Sequence, residues 1–215
     1  MNFILLKHGN KYSAEYVNIL AYRLRLTTPD IDSIVCYTDN PDGIELHLGI
    51  EVLPLPVLDD PLWGWWWKPY ILAHHPAGEN IFVDLDMLIC GDMSVFCPTN
   101  TDITVLSNNN IKINSSIISW HNPVTAPWQE LMQNRDFHVN QPNPWGDQEL
   151  FEICESRGDI SWSKFPLHWV GWLNKKSEHK PISRLGSDAR TIVCKGPRNP
   201  HENLQNPYVK EYWSR

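Results

Sequence analysis

Two aspartates, Asp84 and Asp86, leave the apolar run Ile81-Phe82-Val83 with one residue between them. If the chain stays extended there, residues at i and i+2 point the same way, so the two carboxylates converge. Converging carboxylates repel each other unless a cation lies between them. Oxygen ligands suit Mg²⁺ or Mn²⁺, and either ion can also hold substrate phosphates. On its own the pair is a weak signal, because Asp-x-Asp arises often by chance and two such residues can simply end a strand in water.

The elements around the pair raise its interest. Residues 2–6 (NFILL) read as a buried strand, followed by the polar loop Lys7 to Tyr12. Ser13 can cap a helix, and Val17, Leu20, Ala21 and Leu24 follow at helical spacing before Pro29. Ile31 to Tyr37 reads as a second strand, stopped by the turn-rich segment Thr38 to Gly43. Strand, loop, helix and strand at this spacing begin an α/β sheet, and such sheets bind ligands outside the carboxyl ends of their strands. Val52 to Leu58 reads as an extended edge because of Pro54 and Pro56. A helix is expected from Pro69 to about His75, and others near 126–135 and 147–156. Short strands are expected near 103–106, 116–120 and 192–194. Beyond Gly158 the pattern weakens.

Composition bounds the function. The 215 residues carry 18 basic and 25 acidic side chains, a net charge of −7, which argues against a duplex-binding protein. At 42% apolar and 20% charged residues the chain is globular in character, not disordered. No run of about 18 apolar residues is present, so no transmembrane segment is expected. The apolar stretch Phe3 to Leu6 is too short for a signal-peptide core. Five cysteines (36, 90, 97, 154 and 194) are odd in number, scattered and without a C-x-x-C pair. They read as reduced thiols, and a cytoplasmic protein is expected. No linker divides the chain, so residues 1–215 are expected to form one domain. Eleven tryptophans stand out, with Trp63, Trp65, Trp66 and Trp67 ahead of the aspartate pair and Trp145, Trp162, Trp169 and Trp172 further on. Sugar faces stack on aromatic rings, so these clusters read as part core and part ligand wall. His74 and His75 are adjacent and read as surface residues, since helical neighbours point about 100° apart.

The order of several short segments resembles the glycosyltransferases of the GT-A fold. FVDLD resembles their DxD motif. KHGNKYSAEY (7–16), VCYTD (35–39) and WKPY (67–70) fall where that family keeps its donor-site segments. NSSIISW (114–120) looks like its NSG-type segment, and WGDQELF (145–151) is similar to the DQ segment of glycogenin-like and lipopolysaccharide glycosyltransferases. The resemblance implies a Rossmann-like α/β fold, a mixed sheet flanked by helices. It also implies a nucleoside-diphosphate sugar as donor, UDP-sugars favoured, a glycan or other hydroxyl acceptor, no nucleic-acid partner, and Mn²⁺ or Mg²⁺ as cofactor.

Residue roles follow from the resemblance. Asp86 would bind the metal directly, and Asp84 would lie nearer the ribose or a metal-bound water. His8, Lys11 and Tyr12 would line the base and ribose, with Tyr12 stacking on the base and Lys11 reaching a phosphate. Asp39 would accept a hydrogen bond from the base. Lys68 would touch the phosphate or sugar, and Asn114 would belong to the donor site. Asp147 would bind sugar hydroxyls or stabilise an oxocarbenium-like transition state, with Gln148 as the alternative. The Asp147-Gln148 pair favours retention of configuration; in an inverting enzyme such a carboxylate would be the general base. Relatives often keep a His-Gly near the end of the chain, where the histidine ligates the metal. Here Lys195-Gly196 stands in that place, and a protonated lysine cannot ligate a metal. Lys195 would instead pair with the diphosphate, and His201 would ligate the metal or bind the diphosphate.

Two rivals stay open. A Mg²⁺-dependent nucleotidyltransferase or phosphotransferase would also use the aspartate pair, although His8-Gly9-Asn10 is poor in glycine for a triphosphate loop. A non-catalytic module that binds carbohydrate or nucleotide sugar would suit the tryptophans and Lys195.

Overall fold

Apolar runs without polar alternation form strands covered on both faces. Three of them, β1 (Asn2–Lys7), β2 (Ser33–Thr38) and β4 (Asn80–Val83), lie parallel with the more exposed edge strand β3 (Ile50–Pro54) in the order β3-β2-β1-β4. The computed structural model describes residues 1–108, 111–140, 146–173, 188–194 and 199–215. In register, Ile4 faces Val35 on one side and Phe82 on the other. The sheet continues through an antiparallel strand, β7 (Ile111–Trp120), against which Val83 meets Ile117. β6 (Ile103–Asn108) and β8 (Trp162–Lys164) complete seven strands in the order β3-β2-β1-β4-β7-β6-β8. β7 runs against β4 and β6, so the sheet is mixed, with one reversed strand near its middle.

The period-two alternation of side chains splits each run between two cores. Phe3, Leu5, Ile34, Cys36, Ile81 and Val83 enter the first core. There they meet α1 (Ala14–Thr27), α6 (Pro207–Tyr212) and a second sheet of β5 (Met87–Ile89), β10 (Thr191–Cys194) and β9 (Val170–Leu173). Ile4, Val35, Tyr37, Phe82 and Ile118 enter the second core, beneath α2 (Trp67–His74), α3 (Ala126–Gln133) and α5 (Asp147–Ser156). α1 buries Val17, Leu20, Ala21 and Leu24, the residues its spacing marks.

Several elements differ from the sequence expectation. The helix expected near 126–135 ends at Asn134, whose φ of −123° breaks it, and α4 (Arg135–Val139) follows. The strand expected near 116–120 is the second half of a ten-residue strand. β5, β8 and β9 have only three or four residues each, too few to show a period. His75 is buried, against the surface reading, because its Nδ1 lies 3.0 Å from the Tyr37 hydroxyl. His74 is exposed and stacks on Tyr70. On the second face, buried Glu130 of α3 accepts hydrogen bonds from Asn134, from His138 of α4 and from Arg157 beyond α5. These bonds tie α5, which carries Asp147, to its neighbours.

Candidate functional site

Because β1, β2 and β4 are parallel, the loops that follow them gather at one edge of the sheet. The loop after β1 is pinned there twice. The Gly9 backbone N–H donates to both carboxylate oxygens of Asp39, at 3.1 and 3.0 Å, and Gly64 donates to His8 Nδ1 at 3.3 Å. His8, Asp39 and the segment that leads into α2 therefore converge. Lys7 is buried, and its ammonium donates to the Asn40 carbonyl.

Asp84 and Asp86 follow β4. The backbone of Asp84 donates to the Ser116 carbonyl at 2.9 Å, which extends the pairing with β7 by one residue, and Met87 turns back onto the Asp84 carbonyl at 3.3 Å. Each carboxylate has a protein partner. Lys68 Nζ lies 2.9 Å from Asp84 Oδ1, and the Tyr12 hydroxyl donates to Asp86 Oδ2 at 2.9 Å. Burial, and then the neighbouring Asp84 charge, push the Asp86 pKa up to about 6. The same burial and the Asp86 charge push the Tyr12 phenol well above its ordinary value.

Lys68 is the centre of the arrangement. It sits in the first turn of α2 and is only 4% exposed. Its ammonium donates to the Ser115 carbonyl and hydroxyl, each at 3.1 Å, and stands 5.1 Å from the Phe82 ring centroid. Asp147 Oδ2 faces it at 3.4 Å. Burial alone would lower the Lys68 pKa, but the charges of Asp147 and Asp84 outweigh it and hold the group above its ordinary value. For Asp147 the balance goes the other way: burial raises its pKa, and Lys68 only partly opposes this.

Asp147 opens α5, where the positive end of the helix favours a carboxylate. It is buried, and among the described residues its Oδ2 accepts no hydrogen bond. The 3.4 Å contact with Lys68 is thus a charge pairing without hydrogen-bond geometry. A buried carboxylate oxygen left this way is costly, and such atoms concentrate at functional sites. The preceding residue, Gly146, has φ +74°, and a Cβ there would lie 2.7 Å from Trp65 Nε1. The Trp65 indole therefore rests directly on the entry to α5. Trp66 and Trp67 are core residues, whereas Trp63 and Trp65 are exposed.

The structure brings together most of the residues marked in the sequence. Tyr12, Lys68, Asp84, Asp86 and Asp147 form one connected group, and His8 and Asp39 meet 4.0 Å apart at the loop after β1. Gln148 is half-buried beside Asp147. Lys11 is exposed, with its ammonium 4.6 Å from the Tyr12 ring centroid. Asn114 is buried in β7 and accepts from the Ser116 backbone N–H at 3.2 Å. His201 is exposed and bonds through Nδ1 to the Tyr16 hydroxyl, which places it beside the Tyr12–Tyr16 ring pair. Lys195, Gly196 and Trp145 lie outside the described residues. Sequence reasoning missed Ser115 and Tyr16. Ser115 adjoins Asn114 in the NSS segment, and a polar triplet inside a strand was its signal.

Two carboxylates with one cation among them can hold a phosphate-bearing ligand through a bridging ion. Asp147 can stabilise positive charge or take a proton. Among the described residues no helix is long and apolar enough to cross a membrane, and all five cysteines are free thiols.

No family model and no curated protein matches the chain. Solved structures do. The glycosyltransferase GlyE of Streptococcus pneumoniae TIGR4 superposes with a TM-score of 0.71 at 10% identity, over 99% of this chain and 60% of GlyE. Its apo form gives 0.69 at 11% identity, over 99% and 59%. An active-site mutant of LgtC gives 0.65 at 10% identity, over 99% of this chain and 94% of LgtC. The chain has their fold. It spans about three fifths of the length of GlyE.

Proposed function

We propose that the chain is a hexosyltransferase that takes its sugar from a nucleoside diphosphate, UDP-sugars being the favoured donors, and passes it to a glycan or other hydroxyl. The observation that carries this reading is the buried Lys68 ammonium held between Asp84 and Asp147, beside the second aspartate of the pair. The likeness of fold to GlyE and LgtC supports it.

The residues fit Mn²⁺ or Mg²⁺. Among the described residues no cluster of three or more ligating side chains occurs, so Asp84 and Asp86 stand as a pair. Ions of this class are commonly held by one or two carboxylates, with waters and substrate phosphates filling the shell. Asp86, whose pKa is raised by burial and by Asp84, is a site that a cation would relieve. A bound ion would supply charge neutralisation on the diphosphate leaving group.

The chain's own residues would do the rest. The loop after β1 would receive the base and ribose against His8 and Asp39. Lys68 would hold Asp84 and Asp147 in fixed positions and favour the ionised form of Asp147. Asp147 would then stabilise the positive charge that develops on the sugar as the bond to the diphosphate breaks and its electron pair leaves with phosphate. Retention of configuration is the stereochemistry proposed, on the strength of the Asp147-Gln148 resemblance.

The test is turnover of labelled UDP-hexoses with Mn²⁺, with and without acceptor. Release of UDP and of a single anomer supports the reading, and loss of both activities in Asp84→Ala and Asp86→Ala strengthens it. If both variants keep full activity in excess EDTA, the carboxylate-centred mechanism is wrong. Conversion of a nucleoside triphosphate to pyrophosphate would point to a nucleotidyltransferase, and glycan binding without diphosphate binding to a non-catalytic module.

A further inference from the structure

Two neighbours pack against the Tyr12 ring. Lys11 Nζ sits 4.6 Å from the ring centroid, and the Tyr16 ring lies 4.7 Å away at 45°. The Tyr12 hydroxyl donates to Asp86 Oδ2. Tyr16 is itself held by His201 through its hydroxyl and by Trp213, ring to ring at 4.5 Å. Tyr12 is thus braced from behind and directed at one oxygen of one carboxylate. It also belongs to the loop that Asp39 and Gly64 pin through Gly9 and His8. One side chain therefore joins the loop that would receive the nucleoside to the carboxylate that would receive the cation.

We propose that Tyr12 is a positioning residue for the cation: its hydroxyl engages Asp86 Oδ2, offers the cation the other oxygen, and couples cation binding to nucleotide binding. The inference rests on the reading of this site as a nucleoside-diphosphate site. A hydrogen-bonded partner that orients a ligating carboxylate contributes roughly ten- to a hundredfold in metal affinity. Coupling through a shared residue is reciprocal, so the cation must tighten the nucleotide as much as the nucleotide tightens the cation.

The test uses Tyr12→Phe, which keeps the ring and removes the hydroxyl that bonds Asp86. UDP is titrated calorimetrically in EDTA and in saturating Mn²⁺, and Mn²⁺ alone is followed by electron paramagnetic resonance. For Tyr12→Phe, UDP affinity in EDTA stays within about twofold of the parent, while the tightening by Mn²⁺ falls at least tenfold. Affinity for Mn²⁺ alone falls by a similar factor. The proposal is overturned if Tyr12→Phe keeps the full Mn²⁺ effect, or if it weakens UDP equally in EDTA and Mn²⁺, which would make Tyr12 a nucleoside contact only. It is also overturned if the parent protein shows no response to Mn²⁺ in either measurement. Failure of the parent to bind UDP, GDP or CMP under any condition would sink the donor reading instead, and the Mn²⁺ titration would still report on the Tyr12–Asp86 bond.

Discussion

Lys68 Nζ and Asp147 Oδ2 face each other at 3.4 Å inside the protein, one from the first turn of α2 and the other from the first residue of α5. With Asp84 at 2.9 Å on the other side, the ammonium balances two carboxylates from two different elements. Removing one partner of a buried ion pair strands the other, which destabilises a protein by about 3–5 kcal/mol. Lys68→Met is therefore expected to lower the melting temperature sharply and to abolish transfer. The double variant Lys68→Met/Asp147→Leu should regain most of the lost stability and none of the activity. Calorimetry on the two variants checks this, and equal stability of the two would remove the ion pair from the account.

Asp147→Asn separates binding from chemistry. It keeps the shape of the side chain and removes the charge facing Lys68. UDP affinity should stay within a few-fold, while kcat falls on the order of 10²–10³-fold, as for loss of one preorganised electrostatic contact. A fall in UDP affinity that matches the fall in rate would assign Asp147 to donor binding.

Asp86 links the site to pH. Its folded pKa, pushed up to about 6 by burial and Asp84, exceeds its ordinary value of 3.8. The folded protein thus binds a proton more tightly than the unfolded chain, and stability falls as pH rises from about 4 to about 6. The Asp86 contribution to that fall is on the order of 3 kcal/mol. Asp86→Asn should flatten the slope and melt higher than the parent at pH 7.5. Melting curves between pH 4 and 8 decide it, and an unchanged slope would count against the strain placed on Asp86.

Gly146 tests how α5 is aimed. A Cβ at φ +74° is strained and would also meet Trp65 Nε1 at 2.7 Å. Gly146→Ala should lose about 1–2 kcal/mol and displace Asp147, so that kcat falls more than UDP affinity. Adding Trp65→Ala relieves the close contact and should return part of the stability, leaving only the backbone strain. If the double variant is no more stable than Gly146→Ala, the indole is not what holds the entry to α5.

The parts of the fold that were legible in the sequence are those with local signals. β1, α1, β2 and β4 carry long apolar runs or helical spacing, and Asp84 and Asp86 stand where β4 ends. β5, β8 and β9 were not visible, because they are short and owe their pairing to distant partners. Lys68 was marked as a phosphate or sugar contact, and its burial was not foreseen. Lysine is almost never fully buried unless paired, and here the pair comes from elements remote in the chain. The base-stacking role expected of Tyr12 rested on its place in the first loop. Its ring also touches its neighbours Lys11 and Tyr16, and the bond from its hydroxyl to Asp86 spans 74 residues, a contact that no local pattern announces.

The Lys68 ammonium also shapes the route by which the molecule folds. When α2 docks on the sheet its first turn brings Lys68 to Asp84 at the end of β4, and the second carboxylate arrives only with α5 and Asp147. β7 must also be in place, since Ser115 supplies two of the acceptors. A chain with α5 undocked leaves Lys68 without Asp147, and one with β7 out of register leaves it without the Ser115 acceptors, so each near miss lacks part of the pairing that the folded state completes.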